Sequence, residues 1–405
     1  MKGKSAFDDA PILDRKHSLE DHYCMTHLAT LALLLLSIFI TGCSNSSEPE
    51  LRYRIYVGTY TDAESEGIYA ADFSSAGPNL SELRLAAPLS QTTYQSVDRE
   101  NARLFSTGTL EGVGENNGVL KSFAIQGDGS LADISARPAE KSPILAYVNY
   151  RSEYGTVFTI SYAGGGVHAY RVDAMGVIGE ETGYAKHVGG SGVLESRQLE
   201  AHPHSIYMHP SEPYVYVPDL GQDAVVHYRF DANSGKLEMV SRLKSAGGSG
   251  PRHMAFHSLG RFAYVNNEIA STVDRLSIDL DDGSMRIVDT VSTLPVEFKG
   301  PSATAQILLS PDEQHLYVSN RGHDSIAIFA VGEGGKLTAK GHVPSKGRSP
   351  RNFAIDPTGR WMAIVNRGGD NLVVYKVDPE TGALTDAKLE TYVSSPACVN
   401  WIRVE

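Results

Sequence analysis

Arg252, Arg321 and Arg351 stand in segments that otherwise read as apolar strands, and His204 and Glu268 occupy comparable places in the same pattern. A guanidinium is a permanent cation whose donors grip a carboxylate or phosphate, or receive the negative charge that develops on a carbonyl oxygen under attack. A carboxylate or a neutral imidazole takes a proton from water. Brought to one place, Arg252, Arg321, His204 and Glu268 would focus positive potential on a small anion or a polarised carbonyl. His202, Asn267, Asn320, His323 and Arg351 form a second set of candidates, as ligand-binding side chains around the first. Surface ion pairing is the plain alternative for the charged residues, and turn capping for the asparagines. No His/Asp/Glu spacing resembles a zinc motif, and there is no Gly-x-Ser-x-Gly, phosphate-loop or dinucleotide signature. Chemistry without metal or cofactor is the expectation.

Residues so far apart converge only if the chain is built from repeats. "PHSIYMHPSEPYVYVPDL" from Pro203, "PRHMAFHSLGRFAYVNNE" from Pro251, "TAQILLSPDEQHLYVSNR" from Thr304 and "PRNFAIDPTGRWMAIVNR" from Pro350 align without gaps, at intervals of 48, 53 and 46 residues. Each runs on into a Val/Ile-rich segment such as "DNLVVYKV", a Gly-containing turn and a short "GKLT"-like piece. Four short strands at this period are the mark of a propeller blade. "TTYQSVDRENARLFSTGT" from Thr92 and, with about two inserted residues, the segment from Pro143 are weaker copies. "RIYVGTYTDAESEGIYAADF" resembles the second half of a unit and "SPACVNWIRV" the first strand of one. The expected fold is all-β, a seven-bladed propeller whose ring is closed by a shared blade made of N-terminal strands and a C-terminal strand. In a blade the residue opening strand one and the residue closing strand two emerge at one rim. His204, Arg252, Ala305 and Arg351 follow the opening position; Asp219, Asn267, Asn320 and Asn366 close strand two, and Leu220, Glu268, Arg321 and Arg367 come next. Side chains at such a mouth should be removable with little effect on the blades.

The rest of the chain supplies an address and excludes some partners. With 36 basic and 48 acidic side chains and a net charge of −12, binding to nucleic acid is not expected. The apolar run from Leu28 to Ile40 is too short to span a bilayer but suits a secretory signal, and Ile40-Thr41-Gly42-Cys43 behind it resembles a lipobox. We therefore expect a signal peptide over 1–42, lipidation of Cys43 with a tether over 43–52, and one propeller domain over 53–405. Met25 is an alternative start. The mature protein would be a monomer, anchored by lipid on the periplasmic side of the outer membrane or at the cell surface. Cys398, in "SPACVNWI", reads as a small core residue and no disulfide is expected.

"PHS", "PDLGQD", "GSGPRHMAFH", "NNEIASTV", "SNRGHDSIAIFAV", "SPRNFAIDPTGRW" and "DNLVVYKVDPETGAL" together resemble the bacterial lactonase family that includes the propeller-type 6-phosphogluconolactonase and the fungal carboxymuconate cyclase. The resemblance is dense from His202 to Leu384 and thin before Val167. It implies hydrolysis of a sugar-lactone-like substrate, with functional residues at His204, Arg252, Glu268 and Arg321 and a small lactone or carboxylate as ligand. Ring closure in the muconate manner, or non-catalytic binding of a small anion or partner protein, are the other functions it allows. "SYAGGG", "PIL" and "GTLEG" depart from the family pattern on one side of the mouth, where the substrate is selected.

Overall fold

The computed structural model describes residues 50–110, 117–140 and 142–404, so the expected signal segment and Cys43 lie outside the described residues. Seven antiparallel sheets form a seven-bladed propeller. The shared blade is as expected: the C-terminal strand Pro396–Val404 pairs with Arg52–Thr59, which pairs with Gly67–Ser74, with Asn79–Leu80 and Arg84–Pro88 outermost. We number it blade one. The seam between blades seven and one is filled by edge-on aromatic rings: Trp401 lies 5.4 Å from Tyr53 and 5.1 Å from Phe73, and Phe73 lies 5.0 Å from Trp361. Such pairs add specific geometry to the large area they bury. Cys398 is buried in the closing strand, and burial pushes its thiol up to about 12, which suits a packing residue.

Strand two of each blade is buried on both faces, because each sheet packs between two others, and only outer strands such as Met285–Ser292 alternate with exposed residues. A second tie recurs between blades. The hydroxyls of Tyr56, Tyr216, Tyr264 and Tyr317, each in strand two, donate to the carbonyls of Gly129, Gly283, Gly335 and Gly382 in the outer turn of the next blade. The "P-x-G-R" turns expected between the first two strands are present, with Gly260 and Gly359 at positive φ (69° and 72°), where a side chain would be strained.

The feature that positions the site is a bulge repeated in strand one. Pro251 pairs with Asn267 and His253 with Asn266, so Arg252 between them has no partner and leaves the ladder. Arg351 lies in the same way between Pro350 and Asn352, Ala397 between Pro396 and Cys398, and Ala146 between Leu145 and Tyr147. An unpaired bulge residue bends the strand and re-aims its side chain. Here it aims it at the channel mouth. Blade three departs from the expected alignment: strand one is Leu145–Arg151, so Leu145, not Pro143, takes the opening place and Ala146 the bulge.

Candidate active site

Two rings of side chains meet at one mouth of the channel. The bulge positions supply Ala146 and Arg351, and His204 stands beside them where blade four leaves its ladder. The position after strand two supplies Tyr60, Tyr162, Glu268 and Arg367, and the last residue of strand two in blade six supplies Arg321. With Thr93, Ile144, Ala163 and Arg197 they line a cavity of about 380 Å³. A larger cleft of about 650 Å³ opens between the outer strands of blades six and seven near His315 and Lys340. It gathers no comparable charge cluster, so chemistry and not volume selects the mouth.

Glu268 is the hub. Its Oε2 accepts from Arg252 Nε at 2.8 Å and lies 3.1 Å from Arg321 Nη2, and its Oε1 accepts from Arg197 Nη2 at 2.7 Å. Burial alone would raise its carboxyl, but Arg321 and Arg252, with His204 and Arg197, hold it well below the usual carboxylate range. It is ionised at any working pH. Arg252 is pushed down to about 9, first by burial and then by Arg321 and Arg351, with Glu268 pulling the other way.

His204 is buried, and burial together with Arg252 and Arg351 holds its imidazole well below the ordinary value, so the ring is neutral. Its Nε2 is 3.8 Å from Glu268 Oε2, beyond hydrogen-bonding distance, and its Nδ1 has no partner. His253 lies beneath it. Because Arg252 Nη1 can only donate, the His253 Nε2 at 3.0 Å accepts, and its Nδ1 carries the proton toward Gln306 Oε1 at 2.6 Å. Tyr94 and Tyr147 stack at 4.0 Å beside this pair and, with it, fill the channel under the cavity.

The mouth brings together His204, Glu268, Arg321 and Arg351. Arg252 reaches the cluster from below: it is buried under Glu268 and donates to Glu268, to His253 and to the Ala305 carbonyl, so it anchors the floor instead of facing a ligand. That corrects the expectation that it could be removed without touching the blades. His202 sits at the rim, stacked 4.4 Å from Tyr162 with its Nδ1 3.0 Å from the Tyr162 carbonyl, and so orients a wall residue. Like Arg252 and His202, three further candidates fall outside the cavity lining. Asn267 donates to Thr272 within its own turn, as the capping alternative has it, whereas Asn320 bonds Thr293 of the neighbouring blade at 2.7 and 2.9 Å as well as Ser325 in its own turn. His323 is turned toward Ser325, Phe298 and His342.

Reasoning from the sequence missed Tyr60, Tyr162 and Arg197. The two tyrosines close "VGTY" and "TISY", and their ring position becomes visible only when the degenerate blades are set in register. Tyr60 lies under the guanidinium groups of Arg351 and Arg367, at 5.2 and 4.1 Å. Arg197 comes from a four-residue helix, Glu195–Gln198, in the link between blades three and four. No repeat pattern reaches it. The link is pinned by buried Gln198, whose amide donates to the Leu220 carbonyl and to Asp223, and by Ser191, which also donates to Asp223. Among the described residues no group of three or more His, Cys, Asp or Glu side chains could hold a metal ion.

A closed propeller with a cationic mouth, one ionised carboxylate and a neutral imidazole defines a class of small-ligand propellers with a reactive rim. Residues 54–401 match the model of the family described as "Lactonase, 7-bladed beta-propeller", and the chain belongs to that family. It is 33% identical over 352 residues to a 6-phosphogluconolactonase of Bacillus subtilis, covering 87% of this chain and 99% of that one. Among solved structures it is similar to the periplasmic gluconolactonase PpgL of Pseudomonas aeruginosa, with TM-score 0.81 and 27% identity over 87% of this chain and all of that one. A protein from Lactobacillus plantarum is comparably similar, with TM-score 0.80 and 28% identity.

Proposed function

We propose that the protein hydrolyses a sugar lactone that carries an anionic group, at the mouth cavity and without a cofactor. The observation that carries this reading is the charge pattern: one carboxylate, Glu268, faces a cavity walled by Arg197, Arg321, Arg351 and Arg367 beside neutral His204. Arg351 has no acidic partner among the described residues and lines the cavity with Arg321 and Arg367, so donors for an anion are in place. In the proposed reaction water attacks the lactone carbonyl, Glu268 takes the water's proton, and Arg321 and His204 face the oxyanion of the tetrahedral intermediate. Collapse breaks the ring C–O bond, and the departing alkoxide receives the proton to give the hydroxy acid. The relatives' names, a 6-phosphogluconolactonase and a gluconolactonase, support a sugar lactone, and the first supports an anionic group on it.

The test is acid release in a pH-stat from glucono-δ-lactone and from 6-phosphoglucono-δ-lactone, for wild type and Glu268→Gln. Turnover by wild type with a loss of about 10² or more in kcat for the variant is expected. Binding of gluconate with neither lactone consumed above the buffer rate would instead make the mouth an anion-binding site. We further propose the lipid-anchored address: a fatty-acid label should mark the protein and be lost in Cys43→Ser, and a variant that stays labelled refutes the anchor.

A further inference from the structure

Glu268 holds its two carboxylate oxygens differently. Oε2 faces Arg252 and Arg321, both fixed in strands of blades five and six, with side chains 2% and 19% exposed. Oε1 has one cation, Arg197, whose side chain is 41% exposed and comes from the link between blades. The backbone there is pinned: Gln198 is buried and bonded to Leu220 and Asp223, and a Cβ at Gly190 would meet the Gln198 carbonyl at 2.1 Å. What can move is the Arg197 side chain, whose other hold is the Tyr162 hydroxyl at 3.3 Å. In the resting site both oxygens of Glu268 are engaged by guanidinium groups, which lowers its basicity toward water.

We propose that Arg197 is a displaceable lock and the specificity-determining residue of the site: an anionic group on the substrate draws its guanidinium off Glu268 Oε1, and that oxygen then accepts the proton of the attacking water. This rests on the hydrolytic reading above. It assigns Arg197 a positioning role, because it acts through Glu268. The anion's landing place is the cavity between Arg197 and the wall formed by Arg321 with Arg351 and Arg367, the latter two sharing the Tyr60 face, so the anion competes with Glu268 Oε1 for Arg197. A substrate with an anionic group is thus both bound and given a competent base. A neutral lactone enters the same cavity but leaves the lock shut. The groups facing Glu268 are Arg252, Arg321 and His204 from blades five, six and four, and Arg197 from the link; Arg351 and Tyr162 act one contact further out. Of these Arg197 is the one that can leave without unfolding a strand.

The prediction is a crossing of substrates. Arg197→Ala should raise kcat/KM for glucono-δ-lactone several-fold and lower it at least 10-fold for 6-phosphoglucono-δ-lactone. The acid limb of the neutral substrate's pH profile should also move upward by one unit or more, since the carboxylate has lost a cation. Arg197→Lys should restore the wild-type profile. Equal losses on both substrates with an unmoved acid limb would overturn the lock. A readout that needs no turnover separates this from failure of the lactonase reading. The δ-carbon NMR signal of Glu268, assigned by its absence in Glu268→Gln, should titrate at higher pH in Arg197→Ala than in wild type, and saturating gluconate should move wild type toward the variant. Identical titration in the two proteins, with no response to gluconate, refutes the proposal even if lactones are hydrolysed.

Discussion

Arg252→Ala should destabilise the whole propeller by about 2–4 kcal/mol, although the residue stands at the functional mouth. Three buried acceptors each lose a donor: Glu268 Oε2, His253 Nε2 and the Ala305 carbonyl. An orphaned acceptor costs about 1–3 kcal/mol and a lost bond to a charged group a similar amount; the carboxylate keeps Arg321 and Arg197 and the carbonyl keeps the Asn266 amide at 3.2 Å, so His253 Nε2 alone is left bare. Removing a cation that Arg321 and Arg351 repel returns part of the loss, which sets the lower net figure. Glu268→Gln should cost at least as much, because three guanidinium groups then share no carboxylate. In the double variant one of those cations is gone, so its cost should fall short of the sum of the singles by roughly 2 kcal/mol. Urea unfolding at pH 7, followed by the fluorescence of Trp361 and Trp401 at the closing seam, measures all three. An additive cycle, with coupling under about 0.5 kcal/mol, would show that Arg252 and Glu268 do not form the buried pair described here.

The inter-blade tie can be tested at Tyr264→Phe, which leaves the Gly335 carbonyl without its donor; a loss of about 1–3 kcal/mol in urea unfolding is expected, and an unchanged midpoint would refute the tie. His227 gives a pH dependence. It is buried, stacked on Tyr216, and burial lowers its imidazole to about 4 against the pull of Asp282. The unfolded chain takes up this proton below about pH 6.5, while the folded state resists until about pH 4. Stability should therefore fall as pH drops through that window, by on the order of 2 kcal/mol, and be unaffected by this group above it. Urea midpoints at pH 7 and pH 5 should converge in His227→Asn relative to wild type; an equal pH slope in both proteins would refute it.

Much of this was legible in the chain. A gapless alignment from Pro203 to Arg367 gives the blade, its two rim positions and the shared blade at the ends, because strand alternation and turn chemistry are local and each repeat carries them in full. It also places His204, Glu268, Arg321 and Arg351 at one mouth, since any residue at a fixed place in every blade must lie on a ring. What the chain does not carry is depth and contact. Arg252 and Arg351 occupy the same bulge position, yet one is buried beneath a carboxylate and the other faces the cavity, because Glu268 is found in only one blade. Asn267 and Asn320 share the rim in sequence, but Asn267 points back into its turn at Thr272 and Asn320 reaches across to Thr293 of the neighbouring blade. Arg197 stands outside the repeat altogether and reaches Glu268 across 71 positions of chain, by way of a link whose path is decided by Gln198 and Asp223 and not by any periodicity. Repetition sets angle around the axis, and only the packing of unlike side chains sets which of them meet.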